Sequence, residues 1–241
     1  MRSGPPPQPR RVLAVDDDPV SLAVTVVLLE AEGCVVLKAE SGEEALHLAS
    51  TNLFDCIVAD LRMPGLTSTD LARALRKAAP GALLLAMSAT PPPQLEGYDG
   101  VLKKPLTPQS LRAAMEGRPE AQNGAEAGTH DAHDDAILDR EIFDRLRRAI
   151  APEGLEEVFS VFIKDTRDRI AVMRSADSAT IRREAHTVKG GASMVGALQI
   201  SRAAAAIESG IDDPDDRLRK LEDMEAQCRF AEIILRQRLK A

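Results

Sequence analysis

The chain has 241 residues, of which 44% are apolar and 2% aromatic, and its formal net charge is −7. This length allows two modest domains with aliphatic cores, and the negative charge argues against the basic face with which proteins grip nucleic acid. Residues 1–10 are polar and rich in Pro, without the apolar segment of a signal peptide, and we predict that they are disordered. No apolar run approaches the roughly 20 residues of a membrane span. The three cysteines lack metal-ligand spacing, so we expect them to be reduced, as in a cytoplasmic protein. From the charge and the short apolar runs, we expect neither nucleic-acid binding nor membrane insertion.

Residues 11–117 alternate short apolar runs with helical patterns. Strands are predicted at 12–15, 34–37, 56–59, 83–87 and 101–102. Helices are predicted at 22–31, 43–50, 70–79 and 108–115. Continuous apolar strands are typical of a parallel sheet that is buried on both faces. We therefore predict an α/β domain with a doubly wound parallel sheet of five strands.

Residues 118–136 lose all periodicity and are rich in Gly, Ala, Glu and Asp, which predicts a flexible linker. From residue 137 to residue 241 the sequence has no strand pattern. Helices are predicted at 140–150, 153–175, 178–195, 198–209 and 215–239. The second domain, 137–241, is therefore predicted to be an all-α bundle.

Acidic residues follow two of the predicted strands: Asp16 and Asp17 follow the first, and Asp60 follows the third. In a doubly wound sheet, ligands bind beyond the carboxyl ends of the strands, where the strand order reverses. Carboxylates that meet there repel each other, and a hard cation such as Mg²⁺ would relieve the repulsion. The sequence therefore predicts a magnesium site at this edge.

Such a site can receive a phosphoryl group. Asp60 would be the nucleophile, while the metal and Lys104 would offset the charge of the transferring oxygens. The Ser88 hydroxyl could donate a hydrogen bond to the acyl phosphate. Asp18 is interpreted instead as a helix start, because Asp before Pro is a favourable N-cap.

The order of these motifs resembles the receiver domain of two-component response regulators, over about residues 10–117. The matching segments are Val15-Asp16-Asp17, Asp60-Leu61-Arg62-Met63-Pro64, Ser88-Ala89 and Gly97–Pro105. The resemblance implies a flavodoxin-like fold with Asp60 as the phosphoacceptor, and with Lys104 and Ser88 in contact with the phosphate. The implied Mg²⁺ ligands are Asp16, Asp17, Asp60 and the backbone carbonyl of Arg62.

Three features depart from the receiver pattern. Ser68 stands where receivers usually carry Gly, and Val101 stands where they usually carry an aromatic switch residue. The segment between Ser88 and Lys104 is short and contains prolines 91–93, so we predict that the fourth receiver helix is short or absent. These departures favour a receiver that passes phosphate on over one that signals by changing shape.

A histidine lies on the polar side of a helix in the second domain. On a helical wheel, Ala185, Val188, Ala192 and Val195 form one apolar stripe, and His186 points away from it. An exposed imidazole is largely neutral near pH 7 and therefore nucleophilic. Lys189 would attract a phosphoryl group, and Gly190 would leave room for another protein's active site.

The segment from Ala185 to Ala192 resembles the histidine-phosphotransfer (HPt) domain, over about residues 137–241. The resemblance implies a four-helix bundle with a leading helix. It implies His186 as a second phosphoacceptor, assisted by Lys189.

Two phosphoacceptors without a nucleotide-binding motif indicate a phosphotransfer carrier that is not itself a kinase. The leading hypothesis is a phosphorelay intermediate. It receives phosphate on Asp60 from a sensor histidine kinase and exchanges it with His186 for a downstream response regulator. One alternative is a phosphate sink or an interaction module with one silent site. A remote alternative is a phosphatase of the haloacid-dehalogenase type, because Asp16 and Asp18 are spaced as in that family.

Overall fold

The computed structural model describes residues 8–88, 90, 95–104, 106–117, 138–210 and 213–238. The predicted linker, prolines 91–93, Pro105 and most of the predicted disordered N-terminus lie outside the described residues. The chain folds into two compact units, one built around a β-sheet and the other made mainly of helices. Among the described residues, no helix combines the length and the apolar character that a membrane span requires.

The first unit contains a sheet of five parallel strands in the order β2-β1-β3-β4-β5. The strands are β1 Arg11–Val15, β2 Val35–Ala39, β3 Cys56–Asp60, β4 Leu83–Ser88 and β5 Gly100–Lys103. The helices are α1 Pro19–Ala31, α2 Gly42–Thr51, α3 Ser68–Ala78 and α4 Pro108–Met115. The central strands β1, β3 and β4 are almost wholly buried, whereas the edge strands β2 and β5 are partly exposed. The predicted doubly wound sheet is confirmed, and its order is that of flavodoxin-like folds.

Two helices begin earlier than their apolar patterns indicated, because side chains cap them. The Asp18 carboxylate accepts a hydrogen bond from the Ser21 backbone N–H at 2.8 Å, and α1 begins at Pro19. The Thr67 hydroxyl accepts from the Asp70 backbone N–H at 3.2 Å, and α3 begins at Ser68. Both caps satisfy N–H groups that have no partner inside the helix. Asp18 therefore starts a helix, as its sequence context predicted.

The connection between β4 and β5 contains no helix within its described residues, 90 and 95–99. Arg76 of α3 holds this connection instead, donating from Nε to the Gly97 carbonyl at 3.2 Å and pairing with the Asp99 carboxylate. The same guanidinium donates from Nη1 to the Ala82 carbonyl at 3.2 Å. One arginine thus ties the end of this connection, at Gly97 and Asp99, to Ala82 just before β4.

Replacing Arg76 by Ala is expected to lower the free energy of unfolding of the first unit by about 1–3 kcal/mol, since three hydrogen-bond acceptors lose their donor. Urea unfolding followed by tyrosine fluorescence reports on this unit, because the chain has one Tyr, Tyr98, and no Trp. Arg73→Ala is the control: its pair with Asp70 is exposed and is worth less than about 1 kcal/mol. Equal midpoints for the two variants would contradict the anchoring role of Arg76.

The second unit is helical. Its helices are α5 Arg140–Ala149, α6 Pro152–Met173, α7 Ser178–Val195, α8 Leu198–Glu208 and α9 Pro214–Arg238. Helices α6, α7, α8 and α9 pack in a closed ring, and α5 packs against α6 and α7. The rings of Phe143 and Phe159 meet edge to face in the core, with centroids 5.9 Å apart. The predicted four-helix bundle with a leading helix is confirmed.

Candidate functional site

The sheet brings three carboxylates together at one edge. Asp16 and Asp17 follow β1 and Asp60 ends β3, and the strand order reverses between these two neighbouring strands. One carboxylate oxygen from each residue lies within 4.8 Å of the others. Asp16 and Asp60 are buried, at 1% and 8% exposure, whereas Asp17 is exposed. The predicted acidic cluster therefore forms in the folded chain.

Lys104 compensates the two buried carboxylates of this cluster. Its Nζ lies 2.7 Å from Asp16 Oδ2 and 2.7 Å from Asp60 Oδ1. Burial acts to lower the pKa of Lys104, but the two carboxylates outweigh it and leave that pKa above its ordinary value. Partial desolvation and the Asp16 charge raise the pKa of Asp17. Lys104 is thus held as a cation against the cluster.

Two of the predicted site residues, Asp60 and Ser88, hydrogen-bond to nearby backbone groups. Asp60 Oδ2 accepts a hydrogen bond from the Arg62 backbone N–H at 2.7 Å. Ser88, the buried last residue of β4, donates from Oγ to the Thr90 carbonyl at 3.0 Å. The Ser88 hydroxyl also accepts from the Thr90 N–H at 3.2 Å. A phosphate contact by Ser88, and a metal contact by the Arg62 carbonyl, remain predictions.

A second polar cluster lies on α7. The predicted apolar stripe of this helix is buried, while the His186 side chain is 60% exposed. Lys189, one turn further on, is partly buried, and its Nζ donates to Glu208 at 2.6 Å. A Cβ built on Gly190 would meet no described atom within 4 Å beyond its chain neighbours and the adjacent backbone of its own helix. The structure thus leaves open space beside an exposed imidazole.

Comparison with known families decides the identity of both units. A family model for the response regulator receiver domain matches residues 12–116, and a model for the Hpt domain matches residues 140–240. The chain joins a receiver domain to an Hpt domain. Both are phosphotransfer modules, and their combination is like the phosphorelay parts of hybrid sensor kinases.

Relatives with this architecture include two sensor proteins. The chain is 32% identical over 224 residues to the virulence sensor protein BvgS of Bordetella parapertussis, covering 82% of the chain and 18% of that protein. It is 26% identical over 213 residues to the aerobic respiration control sensor protein ArcB of Escherichia coli K12, covering 82% of the chain and 27% of that protein. The chain thus spans about a quarter or less of these relatives. A similar solved structure is that of the chemotaxis protein CheY4 of Vibrio cholerae, which is 30% identical. The match covers 45% of this chain and 98% of the CheY4 chain, with a TM-score of 0.42.

None of these matches supports the haloacid-dehalogenase alternative. The position of Asp18 also argues against it, because its carboxylate caps α1. Asp60, which that alternative left unexplained, lies instead in the acidic cluster of the receiver domain.

The acidic cluster fits a hard divalent cation. Receiver domains generally bind Mg²⁺ at such a pocket. Three carboxylate oxygens within 4.8 Å of one another are the hard ligands that Mg²⁺ takes from proteins, with water completing its shell. Lys104 already offsets part of their charge, which makes so dense a cluster tolerable in the folded receiver domain.

The sequence did not point to Glu208, which contacts both His186 and Lys189 of the polar cluster on α7. Its Oε1 lies 2.6 Å from His186 Nδ1, and its Oε2 accepts from Lys189 Nζ at 2.6 Å. These two hydrogen bonds lower the pKa of Glu208, that from Lys189 contributing most. A weak signal was present, since Glu208 ends α8, where the helix dipole disfavours a negative charge.

Proposed function

We propose that this chain carries phosphoryl groups in a cytoplasmic phosphorelay. Asp60 receives the group from a sensor histidine kinase, exchanges it with His186, and His186 delivers it to a downstream response regulator. The observation that supports this most is the pairing, in one chain, of the Asp60 cluster with an exposed histidine. In this proposal the phosphoryl group passes between two side chains of this sequence, Asp60 and His186.

In the first step, a carboxylate oxygen of Asp60 attacks the phosphorus of the kinase phosphohistidine. The P–N bond breaks, and an acyl phosphate forms on Asp60. Lys104, 2.7 Å from Asp60, is placed to neutralise charge on the transferring oxygens. We propose that Asp16, Asp17 and Asp60, with the Arg62 carbonyl, hold Mg²⁺, which would supply further charge stabilisation. Ser88 would leave Thr90 to donate to the phosphate.

In the second step, a ring nitrogen of His186 attacks the phosphorus of the acyl phosphate. The P–O bond breaks, the Asp60 carboxylate is regenerated, and a phosphoramidate forms on His186. Lys189 adds positive charge beside the incoming group. The same bond changes in reverse would return phosphate from His186 to Asp60.

A phosphate sink is the second candidate. Ser88 is bonded to Thr90, and Val101 stands at the aromatic switch position, so phosphorylation of Asp60 lacks the usual route to a shape change. A receiver without that output could simply accept phosphate and lose it to water.

Phosphotransfer from a cognate kinase separates the two candidates. Wild type, Asp60→Asn and His186→Gln would be labelled, and the bond type would be read by acid lability for phosphohistidine and base lability for acyl phosphate. We expect label on both residues in wild type, on Asp60 alone in His186→Gln, and none in Asp60→Asn. Label that never leaves Asp60 for His186 would support the sink. His186 labelling that persists in Asp60→Asn would contradict the internal relay.

Gly190 offers a separate test of docking at His186. Because a Cβ there meets no described atom beyond its own helix, Gly190→Ala is expected to stabilise α7 by about 1 kcal/mol. Gly190→Gln would keep the helix folded, yet slow transfer between His186 and a separate receiver by about tenfold or more, because its side chain would fill the approach. Hydrogen exchange of α7 amides and transfer kinetics measure the two effects. Unchanged transfer in Gly190→Gln would contradict the docking role.

A further inference from the structure

The loop between β3 and α3, residues 61–67, carries backbone groups that belong to the proposed phosphorylation site. The Arg62 N–H donates to Asp60 Oδ2 at 2.7 Å, and the Arg62 carbonyl is the proposed backbone ligand of Mg²⁺. The loop has no regular secondary structure, and most of its residues are exposed. Its start is held at β4, where the Leu61 N–H donates to the Met87 carbonyl at 3.1 Å. The position of the Arg62 groups therefore also depends on what holds the other end of the loop, at α3.

Tyr98 contacts that other end from the connection between β4 and β5. Its hydroxyl donates to the carbonyl of Ser68, the first residue of α3, at 3.2 Å. Its half-buried ring packs against an apolar cluster that includes Leu71 and Leu75 of α3. Burial and, after it, the negative charge of Asp60 raise the pKa of Tyr98 to about 12. The phenol therefore stays protonated near neutral pH and remains able to donate to Ser68.

The backbone on either side of Tyr98 is fixed to the same helix. Arg76 of α3 donates from Nε to the Gly97 carbonyl and pairs with the Asp99 carboxylate. Gly97 has a φ of +88°, and a Cβ built on it would lie 3.0 Å from the Cβ of Ala72. The connection thus lies close against the middle of α3, and the Tyr98 side chain extends from there to the first turn of the helix.

We infer that Tyr98 is a positioning residue whose hydroxyl holds the α3 end of the loop 61–67 and so keeps the Arg62 backbone groups in place beside Asp60. This inference rests on the proposed roles of Asp60 and Mg²⁺. Val101 occupies the usual aromatic position of receivers, and Tyr98 lies three residues before it, so a different ring makes this contact. Tyr98 exchanges no proton with the reacting atoms and acts through the loop.

A role in packing alone would not require the hydroxyl. Tyr98→Phe keeps the ring in the apolar cluster and removes the donor to Ser68. The loop should then open more often while the rest of the receiver domain stays folded. In protein without Mg²⁺, we expect the Arg62 amide to exchange its hydrogen about threefold to tenfold faster, with unchanged exchange in the central strands β1 and β3.

Two measurements on the full chain test this inference. Amide hydrogen exchange of the ¹⁵N-labelled protein, followed by NMR without Mg²⁺, reports on the Arg62 N–H independently of any phosphorylation. Labelling of Asp60 by acetyl phosphate across a Mg²⁺ titration reports on the Arg62 carbonyl. In Tyr98→Phe, we expect the Mg²⁺ concentration for half-maximal labelling to rise by about threefold to tenfold, because one proposed ligand is held less firmly.

Ser50→Ala is the matched control, because the Ser50 hydroxyl also donates to a backbone carbonyl, that of His47 at 2.7 Å, but does so within α2. We expect it to leave both measurements at their wild-type values. An unchanged Arg62 exchange rate or Mg²⁺ requirement in Tyr98→Phe would overturn the inference, as would faster exchange spread evenly over the receiver domain. Failure of the proposed function looks different: wild type itself would acquire no label on Asp60 at any Mg²⁺ concentration.

Discussion

Without Mg²⁺, phosphorylation of Asp60 is expected to slow by at least about 100-fold. The transferring group carries charge on three oxygens, and a bound divalent cation stabilises that charge by several kcal/mol. Lys104 alone offers one positive charge, which it shares between Asp16 and Asp60. A small acyl phosphate such as acetyl phosphate can serve as the donor, so that the rate is measured on this chain without a kinase.

Asp17 and Asp18 provide a matched pair for this prediction. Both are acidic and adjacent, but one Asp17 oxygen lies within 4.8 Å of oxygens of Asp16 and Asp60, whereas the Asp18 carboxylate accepts from the Ser21 N–H. Asp17→Asn is therefore expected to raise the Mg²⁺ concentration needed for half-maximal phosphorylation by about tenfold or more, because a charged ligand is lost. Asp18→Asn keeps a good N-cap and should leave that concentration unchanged.

The measurement is the rate of Asp60 labelling across a Mg²⁺ titration, with chelator-treated protein as the zero point. Equal Mg²⁺ requirements for the Asp17 and Asp18 variants would place the cation outside the proposed cluster. Full activity after chelation would contradict the magnesium proposal altogether.

The sheet was predictable from its apolar strand patterns, and the acidic cluster was predictable from a general rule for sheets of this class. Continuous apolar runs identified the central strands, and the rule that ligands bind where strand order reverses placed Asp16 beside Asp60. The apolar patterns predicted α1 from residue 22 and α3 from residue 70, a few residues after their actual starts at Pro19 and Ser68. The difference arises because capping by Asp18 and Thr67 extends each helix beyond its apolar pattern.

The contacts of Arg76 and Glu208 could not be predicted, because each depends on how two distant segments pack. Arg76 lies on α3 and bonds to Gly97, 21 residues later. Glu208 lies 22 residues after His186 and reaches it only because α7 and α8 are neighbours in the bundle. Periodicity indicates which face of a helix is buried, but it does not indicate which polar residues meet across two helices.

Lys104→Met is expected to destabilise the receiver domain by about 3–5 kcal/mol without Mg²⁺, because two buried carboxylates lose the cation that compensates them. Asp16 is 1% exposed and cannot recover this loss by contact with water. Added Mg²⁺ should reduce the deficit, since the proposed cation faces the same carboxylates, so the variant should gain more stability from Mg²⁺ than wild type does. Phosphorylation of Asp60 should remain slowed by about 100-fold even at saturating Mg²⁺, because the metal would not replace the hydrogen bond that we propose Lys104 donates to the transferring oxygens.

Lys103→Met is the control for this last prediction, because Lys103 is the neighbouring residue, exposed at the end of β5. It removes the same charge from the chain without touching the cluster, and its stability should stay within about 0.5 kcal/mol of wild type. Urea unfolding followed by Tyr98 fluorescence, with and without Mg²⁺, measures the stability differences, and labelling of Asp60 by acetyl phosphate measures the rate. Equal Mg²⁺ stabilisation of wild type and Lys104→Met would mean that the cation and Lys104 do not compensate the same carboxylates, and the proposed arrangement of the pocket would then be wrong.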